Sequence, residues 1–424
     1  MNDLFIVSCY IITAIYFVSL SFLIFRKILL PNNIFTVLWC LCGVLSIFNN
    51  LGLIKPSIKV HIYIFISIFV FNFIYLISSK NKKNIYKRRD NIKSITSNIN
   101  YELIKVLNII ALILISKHLI SSLIVIINSG FDLKSVRDEV FVGLTNSNNF
   151  ILIFLTRTIP SAIFNVTVLI ATIDICFKEK KLLFWAIIDI IIYTLTFGGR
   201  FLILNGMLYY VAMNIIIGNK INIKINKKYI IIIVTILLGI TLSRGQGEDS
   251  LVNAIIFYFV GSFSFFELTL RNPIQFGLAE PLKYGYLTLG FIFEPIVLFL
   301  KLVFGINIDV PSYYFNQYIQ KFYNIGENSY ILYNNNVTMH YTFLRDFGEF
   351  GIIVGTVLIV TIICILEKKY IKYNSIRSIL MLTYMYTVII NSTIMYTMNG
   401  IGSSLIIIFI FICTRKGNIY EANN

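Results

Sequence analysis

Apolar runs of about one span's length, broken by short polar stretches, recur along nearly the whole chain. A helix rises about 1.5 Å per residue and a bilayer's hydrocarbon core is about 30 Å thick, so each run predicts a membrane-spanning helix. The runs fall at residues 4–25, 34–54, 58–77, 103–127, 150–177, 182–197, 201–217 and 229–242. Three more, 343–366, 376–397 and 401–413, close the chain, the last short for a straight span. The expected fold is an all-α integral membrane protein of about 11 (10–13) transmembrane helices, with one large extracytoplasmic loop near the C-terminal third.

This pattern divides the chain into an N-terminal bundle of about eight spans (1–242), a loop segment (243–342) and C-terminal helices (343–424). Two apolar stretches, 251–266 and 286–304, interrupt the loop, the second carrying Glu294-Pro295. They are either a further pair of spans or helices lying in the interface. A single extra span would break the alternation of basic loops downstream, so the count is eleven or thirteen. Met1-Asn2-Asp3 lacks a basic n-region and the run behind it is too long for a signal peptide, so it reads as a retained span.

Composition agrees. The 424 residues are 57% hydrophobic and 13% charged, against about 25% charged in ordinary soluble domains. The net charge of +16 sits in short clusters between apolar runs, not along one surface, which argues against a nucleic-acid partner. The clusters are Arg26 and Lys27; seven bases from Lys80 to Lys93; Lys178, Lys180 and Lys181; four lysines from Lys220 to Lys228; Lys368, Lys369, Lys372 and Arg377; and Arg415 and Lys416. They fall in alternate loops, so all six can be cytoplasmic, with the N-terminus outside and the C-terminus inside. The stretch 243–342 has five bases against seven acids and lacks this bias. The six cysteines lie in or beside apolar runs without metal-ligand spacing, so neither disulfides nor a metal is expected.

Ionisable residues near apolar runs are the candidates for chemistry. His340 precedes the stretch from Tyr341 to Gly351, so on one helix His340, Arg345 and Glu349 would come within one or two turns: a base, an anion binder and an orienting acid. The plainer alternatives are an interfacial histidine and an i,i+4 ion pair between Arg345 and Glu349. Arg200 follows Gly198-Gly199 and Arg244 precedes Gly245, turns in which a guanidinium and close backbone could hold a pyrophosphate. Snorkelling to lipid head groups and pairing with Glu248 or Asp249 are the ordinary readings. Arg157, beside Pro160, and Arg271 are weaker anion candidates. His118 beside Lys117, and His61 near an outer helix end, read as paired or water-accessible groups. Gly351 and Gly355 make a small-xxx-small face suited to helix packing. The aromatics from Tyr313 to Tyr333 suit stacking on sugars and equally an interfacial belt.

The span number, the late position of the large loop, and the stretches Phe197-Gly198-Gly199-Arg200, Tyr258 to Ser262 and His340 to Gly351 resemble bacterial O-antigen and capsular repeat-unit polymerases of the Wzy type. The paired arginine repeats described for some members are absent. The resemblance implies polymerisation of polyprenyl-pyrophosphate-linked oligosaccharides into surface polysaccharide at the outer face of the bacterial cytoplasmic membrane, with no cofactor. It further implies membrane lipids, a flippase and a chain-length regulator as partners. His340 is then the base, Arg345 and Glu349 support it, Arg200 and Arg244 clamp the pyrophosphate, and Arg157 and Arg271 are further substrate-binding candidates.

Two alternatives stay open. An O-antigen ligase looks alike at this level, whereas a polyprenyl-phosphate-sugar glycosyltransferase usually carries acids in its first external loop, and residues 49–59 have none. A lipid-linked oligosaccharide flippase would use Asp174, Asp189, Lys117 and His118 in a midplane cavity, but no internal symmetry is visible.

Overall fold

The helices of the computed structural model follow the apolar runs closely. It describes residues 3–48, 51–79, 96–130, 136, 150–177, 179–218, 251–306, 308–333, 336–373 and 375–415. In chain order these form α1 (Asp3–Phe25), α2 (Pro31–Ile47), α3 (Ile58–Ser79), α4 (Tyr101–Asn128), a short helical lead-in (Phe150–Ile153), a π-turn (Phe154–Thr158), α5 (Ile159–Cys176), α6 (Leu183–Phe197) and α7 (Phe201–Ile217). There follow α8 (Leu251–Arg271), α9 (Gly290–Phe304), α10 (Pro311–Ile319), a two-residue strand pair β1 (Tyr323–Asn324) and β2 (Leu332–Tyr333), α11 (Met339–Phe347), α12 (Gly351–Tyr373), α13 (Ile376–Asn391) and α14 (Ile401–Cys413). The protein is thus all-α. Five stretches, α1, α3, α4, Phe154–Cys176 and Met339–Tyr373, are long and apolar enough to cross a membrane. The expected span at 229–242 lies outside the described residues.

Two runs read as single helices are broken, each for a local reason. In the fifth, Pro160 has no N–H to give, and the turn before it widens so that Ile159 N–H reaches Phe154 O. Near residue 348 the chain turns at Gly348, whose φ of 63° and ψ of −150° belong to a region that only glycine occupies without strain. Helix α11 ends there, a 3₁₀ turn (Gly348–Phe350) follows, and α12 starts back at Gly351. A Cβ on Gly351 would sit 1.9 Å from Phe343 O, and one on Gly355 would sit 2.3 Å from the Phe343 ring. The small residues expected to pack helices therefore receive the adjacent α11.

The chain divides into two units: residues Met1–Ile85, Asp249–Lys368 and Val388–Ser404, and residues Tyr86–Glu248, Lys369–Thr387 and Leu405–Asn424. Each combines segments from before and after the long loop.

In the first unit α2 packs between α1, α3 and α8. Polar groups in these apolar helices bond one another: Asn32 Nδ2 donates to Ser21 Oγ (2.7 Å) and Asn72 Oδ1 (2.9 Å), and Asn72 Nδ2 donates to Thr36 Oγ1 (2.7 Å). Lipid supplies no partner for such groups, so the network fixes the mutual register of the three helices. The stretch after α8 is ordered too. Asp346 accepts from the backbone of Leu287 (3.1 Å) and Thr288 (2.5 Å), strapping residues 283–288 to α11. Helix α9 carries Pro295 inside it, which frees the carbonyl of Phe291, and Ser404 Oγ donates to that carbonyl at 2.5 Å.

In the second unit α5 is central, packing against α4, α6 and α7. It too is tied by polar pairs: Asn108 donates to Thr167 (2.8 Å), and Asn205 and Tyr209 donate to Asn165 Oδ1 (3.1 and 3.3 Å).

Candidate functional site

His340 lies one residue into α11, on the face turned to α2, α3 and α8. It is fully buried, with ring centroids 4.6 Å from Trp39, 5.8 Å from Phe266 and 6.5 Å from Phe343. Its Nε2 is 2.6 Å from Ser67 Oγ, and Ser67 Oγ donates to Tyr63 O at 3.0 Å. A hydroxyl has one proton. With that proton committed to Tyr63, Ser67 accepts from Nε2–H, and the lone pair of a neutral imidazole falls on Nδ1. Nδ1 has no hydrogen-bond partner among the described residues. The same holds for the buried hydroxyls of Thr338, which caps α11, Thr342 on α11 and Ser264 on α8. Most buried polar atoms are satisfied within the protein, so this concentration of open ones marks the region around α11.

Arg345 does not pair with Glu349. Its Nη1 donates to Gly277 O (2.5 Å) and its Nη2 to Glu280 Oε2 (3.2 Å), with the guanidinium 5.0 Å from the Tyr318 ring centre. Tyr318 OH donates to the same Glu280. The close fit explains Gly277: a Cβ there would collide with Arg345 Nη1. Glu349 lies past the break at Gly348, so helical i,i+4 spacing does not apply to it. It is exposed and accepts from Lys59 Nζ (2.6 Å) and Tyr63 OH (3.1 Å). Lys59 and Ser67 are eight residues apart on α3, about 12 Å along a helix. His340 and Glu349 therefore meet α3 at well-separated levels.

Arg271 is engaged on α8, donating from Nε to Glu267 (2.7 Å), whose other oxygen accepts from Ser57 N (2.8 Å). It anchors the end of α8 to the turn between α2 and α3.

Arg157 and Arg200 belong to the second unit. Gly198, in the left-handed conformation (φ 58°), ends α6, and Arg200 starts α7. Arg157, half-buried on the π-turn, places its guanidinium 5.9 Å from the ring centre of Phe197, three residues before Arg200. Beside it His118 Nε2 is 2.8 Å from Thr156 Oγ1. Arg200, with glycine backbone and the N-terminus of α7 beside it, suits an anion. Arg244 lies outside the described residues.

His61 bonds Tyr10 OH through Nδ1 (2.8 Å), and Asp174 bonds Tyr101 OH and Leu182 N (2.8 and 2.9 Å). Asp189 on α6 is fully buried, and neither carboxylate oxygen has a partner among the described residues. Among the described residues no group of three or more His, Cys, Asp or Glu could hold a metal ion. Sequence reasoning missed Ser67, Trp39 and Glu280. Ser67 is the one serine in its apolar run and Trp39 is one of only two tryptophans, but Glu280 carries no local signal.

Comparison with protein-family models, curated proteins and solved structures finds no match. The fold and its buried groups define a helical protein of membrane-spanning type, with ionisable side chains held inside its first unit.

Proposed function

We propose that this chain is a membrane glycosyltransferase that joins lipid-linked oligosaccharide repeat units, a repeat-unit polymerase. The observation that carries the reading is His340, fixed through Nε2 by Ser67 and presenting an Nδ1 without a partner among the described residues of an apolar helical protein. An ionisable group in such surroundings is costly, and function is the usual reason for keeping it. Its resemblance to the polymerases through His340 to Gly351 supports the same reading.

In the proposed reaction a sugar hydroxyl of one repeat unit attacks the anomeric carbon of a glycan held on polyprenyl pyrophosphate. The C–O bond to the pyrophosphate breaks and its electron pair leaves on the phosphate oxygen. The hydroxyl proton passes to His340 Nδ1, general base work that contributes about 10²- to 10⁴-fold. Arg157, Arg200 and Arg244 are separate candidates for phosphate binding, because a guanidinium grips phosphate oxygens in pairs. Arg345, Glu349 and Arg271 act as positioning residues through Glu280, Lys59 and Glu267. The topology that goes with this is eleven spans in a bacterial cytoplasmic membrane, N-terminus outside and C-terminus inside, with the α8–β2 segment on the outer face.

A transport reading is favoured by one observation, the carboxylate of Asp189 without a partner among the described residues. Purified protein incubated with a lipid-linked repeat unit separates the two: the polymerase reading expects longer lipid-linked glycans, lost in His340→Ala and kept in Asp189→Asn. Substrate crossing the bilayer with no change in length would refute it in favour of a flippase. Transfer only to a non-prenyl lipid acceptor would make the protein a ligase.

A further inference from the structure

Two of the six basic clusters reach one place in the second unit. One includes Lys181 and the last begins at Arg415. Lys105, Lys181 and Arg415 line a cleft of about 570 Å³ in which Glu102 is the one acid. That volume lies within the range of small-ligand sites.

The walls are tied together. Ile99 bridges Thr414, Asn100 N donates to Cys413 O, and Arg415 N donates to Asn98 O, both at 2.9 Å. Behind this clasp, Arg377 donates to Thr414 Oγ1 (3.2 Å) and Phe411 O (3.0 Å), closing the end of α14. On the other side Asp174 joins Tyr101 OH to Leu182 N, which brings Lys181 Nζ to 4.6 Å from the Tyr101 ring centre. Asn100 caps α4 by accepting from Leu103 N (3.1 Å), so the positive end of a 28-residue helix opens beside the three cations. Lys105 is paired with Glu102 (2.7 Å) and Lys181 with Glu179 (3.0 Å), whereas Arg415 has no acid partner among the described residues.

We infer that this cleft binds a phosphate ester, with Lys105, Lys181 and Arg415 as its cationic ligands. The inference does not rest on the proposed reaction. Basic clusters of this kind face the anionic leaflet in membrane proteins, so an anionic phospholipid head group and a free phosphate ester both carry the chemistry the cleft selects.

The test uses the full chain in detergent with three probes, dioctanoyl phosphatidic acid, glycerol 3-phosphate and the zwitterionic dioctanoyl phosphatidylcholine, binding being followed by thermophoresis. Phosphatidic acid is expected to bind, with Lys105→Gln, Lys181→Gln and Arg415→Gln each weakening it about five-fold and the triple variant about a hundred-fold. Binding of phosphatidic acid alone, lost in the variants, supports a lipid site, and comparable binding of glycerol 3-phosphate supports a site for free phosphate esters. Equal binding of phosphatidylcholine, no binding of either anion, or wild-type affinity in a triple variant with an unchanged unfolding temperature would overturn the inference.

Discussion

Ser67 and His340 are 2.6 Å apart, and because the serine gives its proton to Tyr63, it accepts from the imidazole and holds it in one tautomer. Ser67→Ala removes that acceptor without adding bulk. Polymerising activity is expected to fall about 10- to 100-fold in Ser67→Ala and by 10² or more in His340→Ala. Initial rates of lipid-linked repeat-unit consumption check this, and equal rates in all three proteins would remove His340 from the chemistry.

Gly348 turns the chain between α11 and α12 at φ 63°, and Gly351 leaves no room for a Cβ against Phe343 O. Gly348→Ala is expected to cost about 1–3 kcal/mol, with Gly351→Ala also destabilising. At Gly402, on α14, a Cβ would meet nothing within 4 Å, so Gly402→Ala is expected to be neutral or mildly stabilising. Unfolding temperatures in detergent compare the three.

The Arg345–Glu280 clasp holds residues 277–280 against α11. Arg345→Met leaves the Gly277 carbonyl without its donor and Glu280 with only the more distant Lys283 (3.9 Å), at a cost of about 2 kcal/mol, moderated because Glu280 is partly exposed. In a double-mutant cycle, Glu280→Gln is expected to cost much less in the Arg345→Met background than in the wild type. Additive losses would show that the two do not act as a pair.

Pro295 and Ser404 form a compensating pair. Ser404→Ala leaves the Phe291 carbonyl unsatisfied and is expected to destabilise by about 1 kcal/mol. Adding Pro295→Ala restores a helical N–H to that carbonyl and recovers most of the loss. Urea unfolding of the single and double variants reads this out.

Tyr286 donates to Asp309 O at 2.7 Å, and burial, helped by the neighbouring Tyr314, pushes its hydroxyl up to about 12. A group whose proton is held more tightly when folded stabilises fully below its unfolded value near 10 and loses that contribution as the pH rises toward 12. The stability difference between wild type and Tyr286→Phe is expected to be constant below about pH 10 and to shrink above it.

Much of the helical frame was legible because lipid leaves a chain few options: apolar length marked where the helices lie. The boundaries of α7 and α14 coincide with their apolar runs, since Gly218 and the flanking polar residues stop the pattern where the helix stops. The breaks were less legible. Gly348 sits within a continuous helical-looking stretch, and only the return of α12 alongside Phe343 shows why a glycine is required there. For the candidate site, the sequence singled out His340 by rarity, but its partners lie on α2, α3 and α8, hundreds of positions away in the case of Ser67. Arg345 was legible as a charge but not its partner, because Glu280 reaches it through a turn that no periodicity announces.

The most direct measurement is the size of the surface glycan and its lipid-linked precursors after deletion of the gene in its native host, with complementation by wild type and by His340→Ala. Single repeat units on the lipid or core after deletion, long chains restored by wild type, and single units again with normally inserted His340→Ala are the expected results. Long polymer persisting in the deletion strain would contradict the polymerase reading itself, and full restoration by His340→Ala would contradict its site.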